Sequence, residues 1–139
     1  MIALGYPEAD CRFAGVLSFS TIVVEDQAGV RTITLHRPER RNAITPEMQS
    51  GLIHALENTA TSDGRVLVLT GAGEAFCAGL DLTVLQQMND KTAAEYREDA
   101  ERVARLFLAL YELPIPTITA VHGPAIAGGA GPRRASGWL

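Results

Sequence analysis

Two glycine-rich segments stand where backbone N–H groups rather than side chains could do chemistry. The first, Gly71-Ala72-Gly73-Glu74-Ala75-Phe76, follows the apolar run 65–70, and Gly123-Pro124-Ala125-Ile126-Ala127-Gly128-Gly129-Ala130-Gly131 follows the run 116–121. The first could open a dinucleotide site, with Asp90 near the right distance downstream, which would make the chain a nucleotide-dependent oxidoreductase. That fingerprint fails at its third glycine, because Phe76 stands where a small residue must let helix and strand approach. No Gly-Lys-Ser/Thr occurs, so there is no phosphate-gripping P-loop. A single such segment reads as a plain turn after a strand. Two of them at the ends of neighbouring strands can aim two N–H donors into one pocket, and convergent donors make an oxyanion hole.

Single side chains offer less. Cys77 has no partner base in the sequence and reads as a small buried hydrophobe. Cys11 and Cys77 lie far apart with no histidine at ligand spacing, which suggests neither a disulfide framework nor a metal site. His122 sits at a strand end as a structural residue, while His36 and His54 carry little weight as acid or base. Asp81 invites a catalytic role but is better explained as the N-cap of a helix over 82–88.

The elements that must position these loops follow from periodicity. Residues 1–17 show no clean period and read as a loose extension. Val, Ile and Thr crowd 19–25 and 30–35 around Asp26-Gln27-Ala28-Gly29, which predicts a hairpin. Thr45-Pro46-Glu47 is a helix start, and the helix runs to about Thr61 with Met48, Leu52, Leu56 and Ala60 on one stripe. The continuous apolar run 65–70 predicts a buried, parallel strand. After 71–81 and the short helix, Asp90 begins a polar break. Val103, Leu106, Phe107, Leu110 and Tyr111 then repeat at helical spacing up to Pro114, and a strand follows over 116–121. The order is β-β-α-β-α-β, an α/β chain.

With 139 residues, 47% hydrophobic and 20% charged, the chain has room for one globular domain. Twelve basic against sixteen acidic residues leave a net charge of -4, which argues against a nucleic-acid partner. The run 106–111 is too short to span a bilayer, and Glu8 and Asp10 stand where a signal peptide carries positive charge. A cytoplasmic protein is expected.

Three segments carry a family resemblance: His36-Arg37-Pro38-Glu39-Arg40-Arg41-Asn42-Ala43, then Val68-Leu69-Thr70-Gly71 with Phe76-Cys77-Ala78-Gly79-Leu80-Asp81-Leu82, then residues 116–131. In this order they resemble the enoyl-CoA hydratase/isomerase (crotonase) family over about 18–131. The resemblance implies a spiral of ββα units and an acyl-CoA thioester substrate, with coenzyme A part of that substrate and neither a separate cofactor nor a metal. It implies that the N–H groups of Leu80 and Gly128 hold the thioester oxygen, the missing Cβ at Gly128 letting the thioester lie against the chain. Arg40, Arg41, Asn42 and Ala43 match the segment that lines the CoA nucleotide and pantetheine, and Ala78, Asp81 and Leu82 fall on acyl-CoA-binding positions.

The sequence also departs from the family. Gly131 stands where relatives carry their first proton-moving glutamate, and residues 132–139 form a tail unlike the family's helix. The expectation is a chain truncated after Gly131, without the second glutamate or the trimerising segment of a family that forms homotrimers or hexamers, and inactive alone. A non-catalytic acyl-CoA-binding or misfolding-prone fragment is the alternative.

Overall fold

In a computed structural model of the chain, residues 16–130 are described. The first fifteen residues, Cys11 among them, and Gly131 with the tail 132–139 lie outside that range. Strands β1 (Val16–Ser18), β2 (Ile22–Gln27), β3 (Val30–Leu35), β4 (Val66–Gly71) and β5 (Thr117–Thr119) form one sheet in the order β1-β2-β3-β4-β5. The first two pairings are antiparallel and the last two parallel. Helices α1 (Pro46–Ala60), α2 (Leu82–Gln87) and α3 (Ala93–Tyr111) complete the architecture.

The hairpin is tighter than its composition suggests. Pairing continues to Gln27 opposite Val30, and only Ala28 and Gly29 turn, at φ of 51° and 82°. Two successive positive φ values match the right-handed strand twist, which is the reason short hairpins use them. The first strand begins at Val16, inside the segment expected to precede the sheet, and its pairing with β2 reaches Val16 opposite Glu25.

Helix α1 starts as its sequence dictates. Thr45 accepts from the Met48 N–H at 3.2 Å, and Pro46 occupies a position whose N–H would be unpaired anyway. Met48, Leu52 and Leu56 are buried as expected, but Ala60 is exposed because the core ends one turn earlier. Strand β4 is parallel to both neighbours. It is not buried on both faces: Leu67 and Leu69 pack in the core, whereas Val66 and Val68 are half-buried. Ile22, Val24, Ile33 and Leu35 join the Leu67 face, and α1 with Leu106 and Leu110 of α3 closes over it.

Helix α3 begins ten residues before Val103. Thr92 caps it through a reciprocal pair in which its hydroxyl accepts from the Glu95 N–H and the Glu95 carboxylate accepts from the Thr92 N–H at 2.7 Å. The early turns are exposed and charged, so they carry no apolar period. Phe76, which blocked the dinucleotide reading, is fully buried in the core and anchors the loop that follows β4. Truncating a buried phenylalanine removes its transfer energy and leaves a cavity, so Phe76→Ala is expected to cost about 3–5 kcal/mol. Urea unfolding followed by circular dichroism measures it, and a loss below about 1 kcal/mol would show that the loop can collapse around the gap.

Candidate functional site

The loop after β4 is tied to the turn after β3 by Asn42. Its side chain is fully buried, accepts from the Arg37 N–H at 2.9 Å, and donates to the carbonyls of Ala72 at 2.8 Å and Ala75 at 2.9 Å. Arg41 and Asn42 both adopt left-handed backbone, φ 51° and 54°, which reverses the chain toward Ile44. The Ile44 N–H then donates to the Gly79 carbonyl at 2.7 Å, and the Asp81 N–H donates to the Ile44 carbonyl at 2.9 Å.

That pairing orients Leu80. In extended chain successive residues present their N–H groups to opposite sides, so with Gly79 and Asp81 turned to Ile44 the Leu80 N–H faces away. It makes no hydrogen bond among the described residues. Gly79, at φ 93°, makes the bend that sets this up.

The second glycine loop lies alongside the first. Phe76 and Cys77 donate their N–H groups to the Pro124 carbonyl at 3.1 and 3.2 Å, and Ile126 donates to the Cys77 carbonyl at 3.0 Å. A 3-10 turn follows over Ala127–Ala130, and its first bond runs from the Gly129 N–H to Ile126 at 2.8 Å. Two glycines of this segment are under steric demand: a Cβ at Gly123 would lie 2.1 Å from the Glu74 carbonyl oxygen, and one at Gly129 would lie 2.5 Å from the Cys77 carbonyl oxygen and 2.7 Å from its Cβ.

Ala78 and Leu80 from the first loop and Ala127 from the second line one cleft of about 390 Å³. Leu82 and Leu85 of α2, with Val103, Leu106 and Phe107 of α3, supply apolar wall, and Gln49 of α1 reaches it as well. No carboxylate or imidazole lines the cleft among the described residues.

The other sequence candidates fall into two groups. Arg40 and Arg41 are exposed, and neither guanidinium has an ion pair or hydrogen bond among the described residues. Ala43 is buried, its carbonyl accepting from Arg37 Nη1 at 2.7 Å. Asp81 is the N-cap expected: Oδ1 accepts from the Thr83 N–H at 3.0 Å and from its hydroxyl at 2.7 Å, and Oδ2 pairs with Arg37 Nη1 at 3.0 Å. Arg37 escaped the sequence reading, because its partner lies forty-four residues away. Cys77 is 1% exposed, and burial pushes its thiol pKa up against the Gly79 hydrogen bond, which suits a structural residue. His122 Nε2 lies 2.9 Å from the Gly73 carbonyl and joins the end of the last strand to the first glycine turn. Among the described residues no His/Cys/Asp/Glu cluster could hold a metal ion, and no helix is long and apolar enough to cross a membrane.

Two outcomes follow from this scaffold. Asn42→Ala strips three backbone groups of their partners and is expected to cost about 3 kcal/mol or more in urea unfolding. At Asp81 the Thr83 hydroxyl and N–H, then Arg37, hold the carboxyl at about 2, below its ordinary 3.8. A depressed pKa stabilises the fold fully above the unfolded value, and that contribution fades as pH falls from 3.8 towards 2. Asp81→Asn should therefore flatten the fall of the urea midpoint across that acid window; an unchanged slope would remove Asp81 from the account.

The sequence profile of the enoyl-CoA hydratase/isomerase family matches residues 25–132. A Thermus thermophilus protein described as an enoyl-CoA hydratase is 42% identical over 111 residues, spanning 79% of this chain and 44% of its own length. Rat enoyl-CoA delta isomerase 2 is 36% identical over 110 residues, which cover 76% of this chain and 27% of the isomerase. The crystal structure of an enoyl-CoA hydratase from Shewanella pealeana superposes with a TM-score of 0.82 at 30% identity, over 84% of this chain and 44% of that one. The chain thus spans less than half the length of each. Its mixed sheet with flanking helices is an incomplete crotonase-type α/β fold, and the chain belongs to the enoyl-CoA hydratase/isomerase family.

Proposed function

We propose that this chain binds the acyl part of a CoA thioester in the cleft beside Leu80 and polarises the thioester carbonyl with the N–H groups of Leu80 and Gly128. The observation that carries the reading is the Leu80 N–H, turned away from Ile44 and without a hydrogen bond among the described residues, at the wall of an apolar cleft. Coenzyme A enters as part of the substrate, so no separate cofactor takes part. The free guanidinium groups of Arg40 and Arg41 suit the phosphates of the CoA nucleotide, as a planar fork of donors does. Ala78 and Leu82 contribute apolar wall, whereas Asp81 has both carboxylate oxygens engaged within the protein and Ala43 contributes backbone support.

In hydration a water molecule gives up a proton as its oxygen bonds to the β-carbon of the enoyl thioester, and the double-bond electrons move toward the carbonyl oxygen. The resulting enolate is then protonated at the α-carbon. Charge on that oxygen is larger in the transition state than in the ground state, so donors fixed beforehand lower the barrier, by about 3 kcal/mol each. The same hole serves a double-bond shift through a dienolate.

Proton transfer needs an acid or base that the described walls of the cleft do not carry. A second reading, binding without turnover by the chain alone, rests on that observation. General acid-base help is worth about 10²–10⁴ in rate, so the chain is expected to consume crotonyl-CoA at least about 100-fold more slowly than a full-length hydratase. Turnover at the full rate, followed by loss of the enoyl absorbance, would end that second reading.

The donors themselves are tested with 2,4-hexadienoyl-CoA, whose absorbance moves to longer wavelength when its carbonyl is polarised. Binding to the chain should produce that shift. Leu80→Met, which keeps the N–H, should retain it, and Leu80→Pro should lose it. Gly129→Val should abolish binding through the clash with Cys77. An undiminished shift with Leu80→Pro would refute the donor assignment.

A further inference from the structure

Gln49 is out of place for an alkyl-binding wall. It lies on the core-facing side of α1 beside Met48 and Leu52, is only 4% exposed, and carries the one polar side chain among the described residues that line the cleft. Its amide makes no hydrogen bond among the described residues. It is also absent from the sealed, unpartnered polar groups, of which Thr21 Oγ1 is the sole described case, so its amide opens on the cleft. Buried amides are nearly always hydrogen-bonded, and an unpaired one is costly. In the empty cleft, water can satisfy it. A purely alkyl chain filling the cleft expels that water and offers nothing in return.

We infer that Gln49 is a specificity-determining residue that hydrogen-bonds a neutral oxygen on the acyl chain, making an oxo- or hydroxyacyl thioester the preferred class of ligand. The inference rests on the acyl-CoA reading above. The amide can donate to a keto oxygen and exchange both kinds of bond with a hydroxyl, so either replaces the expelled water. A carboxylate is disfavoured, since no cationic side chain lines the cleft among the described residues to offset its desolvation. Sites built to bond a ligand oxygen discriminate against the analogue lacking it, because the protein group is then left unpaired.

The experiment compares equilibrium binding of CoA, hexanoyl-CoA, 4-oxohexanoyl-CoA, 5-oxohexanoyl-CoA, 6-hydroxyhexanoyl-CoA and adipyl-CoA to the full chain. None of these is an enoyl thioester, so affinity is read without hydration. At least one oxo or hydroxy probe is expected to bind about tenfold more tightly than hexanoyl-CoA, with no gain for adipyl-CoA. In Gln49→Met, matched in length and shape, that ratio should fall to within about twofold. The wild-type comparison can overturn the inference without any variant: hexanoyl-CoA binding better than CoA, with no oxygenated probe preferred, removes the role of Gln49 and leaves the cleft reading standing. A preference that survives in Gln49→Met overturns it equally. Hexanoyl-CoA binding no better than CoA overturns the acyl cleft, and the inference with it.

Discussion

Asn42 is the point on which the described site hangs. Fully buried, it accepts from the Arg37 N–H within the turn after β3 and holds that turn against the loop after β4 through two hydrogen bonds to the Ala72 and Ala75 carbonyls. The Asn42 amide itself is sealed from water and the bond to the Ala75 carbonyl is buried, so losing these partners is costly. Two residues on, Ile44 bridges to Leu80, and Arg37, whose N–H Asn42 accepts, sends its guanidinium to Asp81. The position of the Leu80 N–H is therefore set by a chain of backbone and buried polar contacts. The bonds nearest the donor, from Ile44 to Gly79 and from Asp81 to Ile44, are backbone to backbone, which suits preorganised stabilisation of a developing charge.

Around that donor the chemistry is one of exclusion. The cleft walls are aliphatic and aromatic, Cys77 behind them is buried with its thiol pKa raised, and Gly129 lets the second loop lie on the Cys77 backbone. A low-dielectric wall strengthens any hydrogen bond made to a charged oxygen inside it, and by the same physics penalises an amide left without a partner. Leu80 and Gln49 face these two consequences of one environment.

Several parts of this arrangement were legible because they are local. Thr45 before Pro46 marked the start of α1, Asp81 announced the cap of α2, and the β-branched runs marked the hairpin. The start of α3 is equally local but carries no apolar period: Thr92 and Glu95 form a capping box, while residues 93–102 are mostly charged and exposed. Apolar period is invisible in a stretch that buries nothing, and the cap was the signal that could have found it.

The sequence by itself determined what neighbours along the chain decide: helix starts, turn glycines, the parallel strand, and the family segments at Arg40, Gly79 and Gly128. Tertiary structure decided which way the Leu80 N–H faces, that Arg37 belongs to Asp81, that Gly129 must stay small, and that Gln49 opens on the cleft. The physical reason is the span of the interactions. Caps and turns close within four residues and leave a local pattern, whereas Ile44 meets Leu80 and Cys77 meets Ala125 only after the sheet has paired. Contacts of that kind depend on which surfaces the fold brings together, and no periodicity in the intervening residues records them.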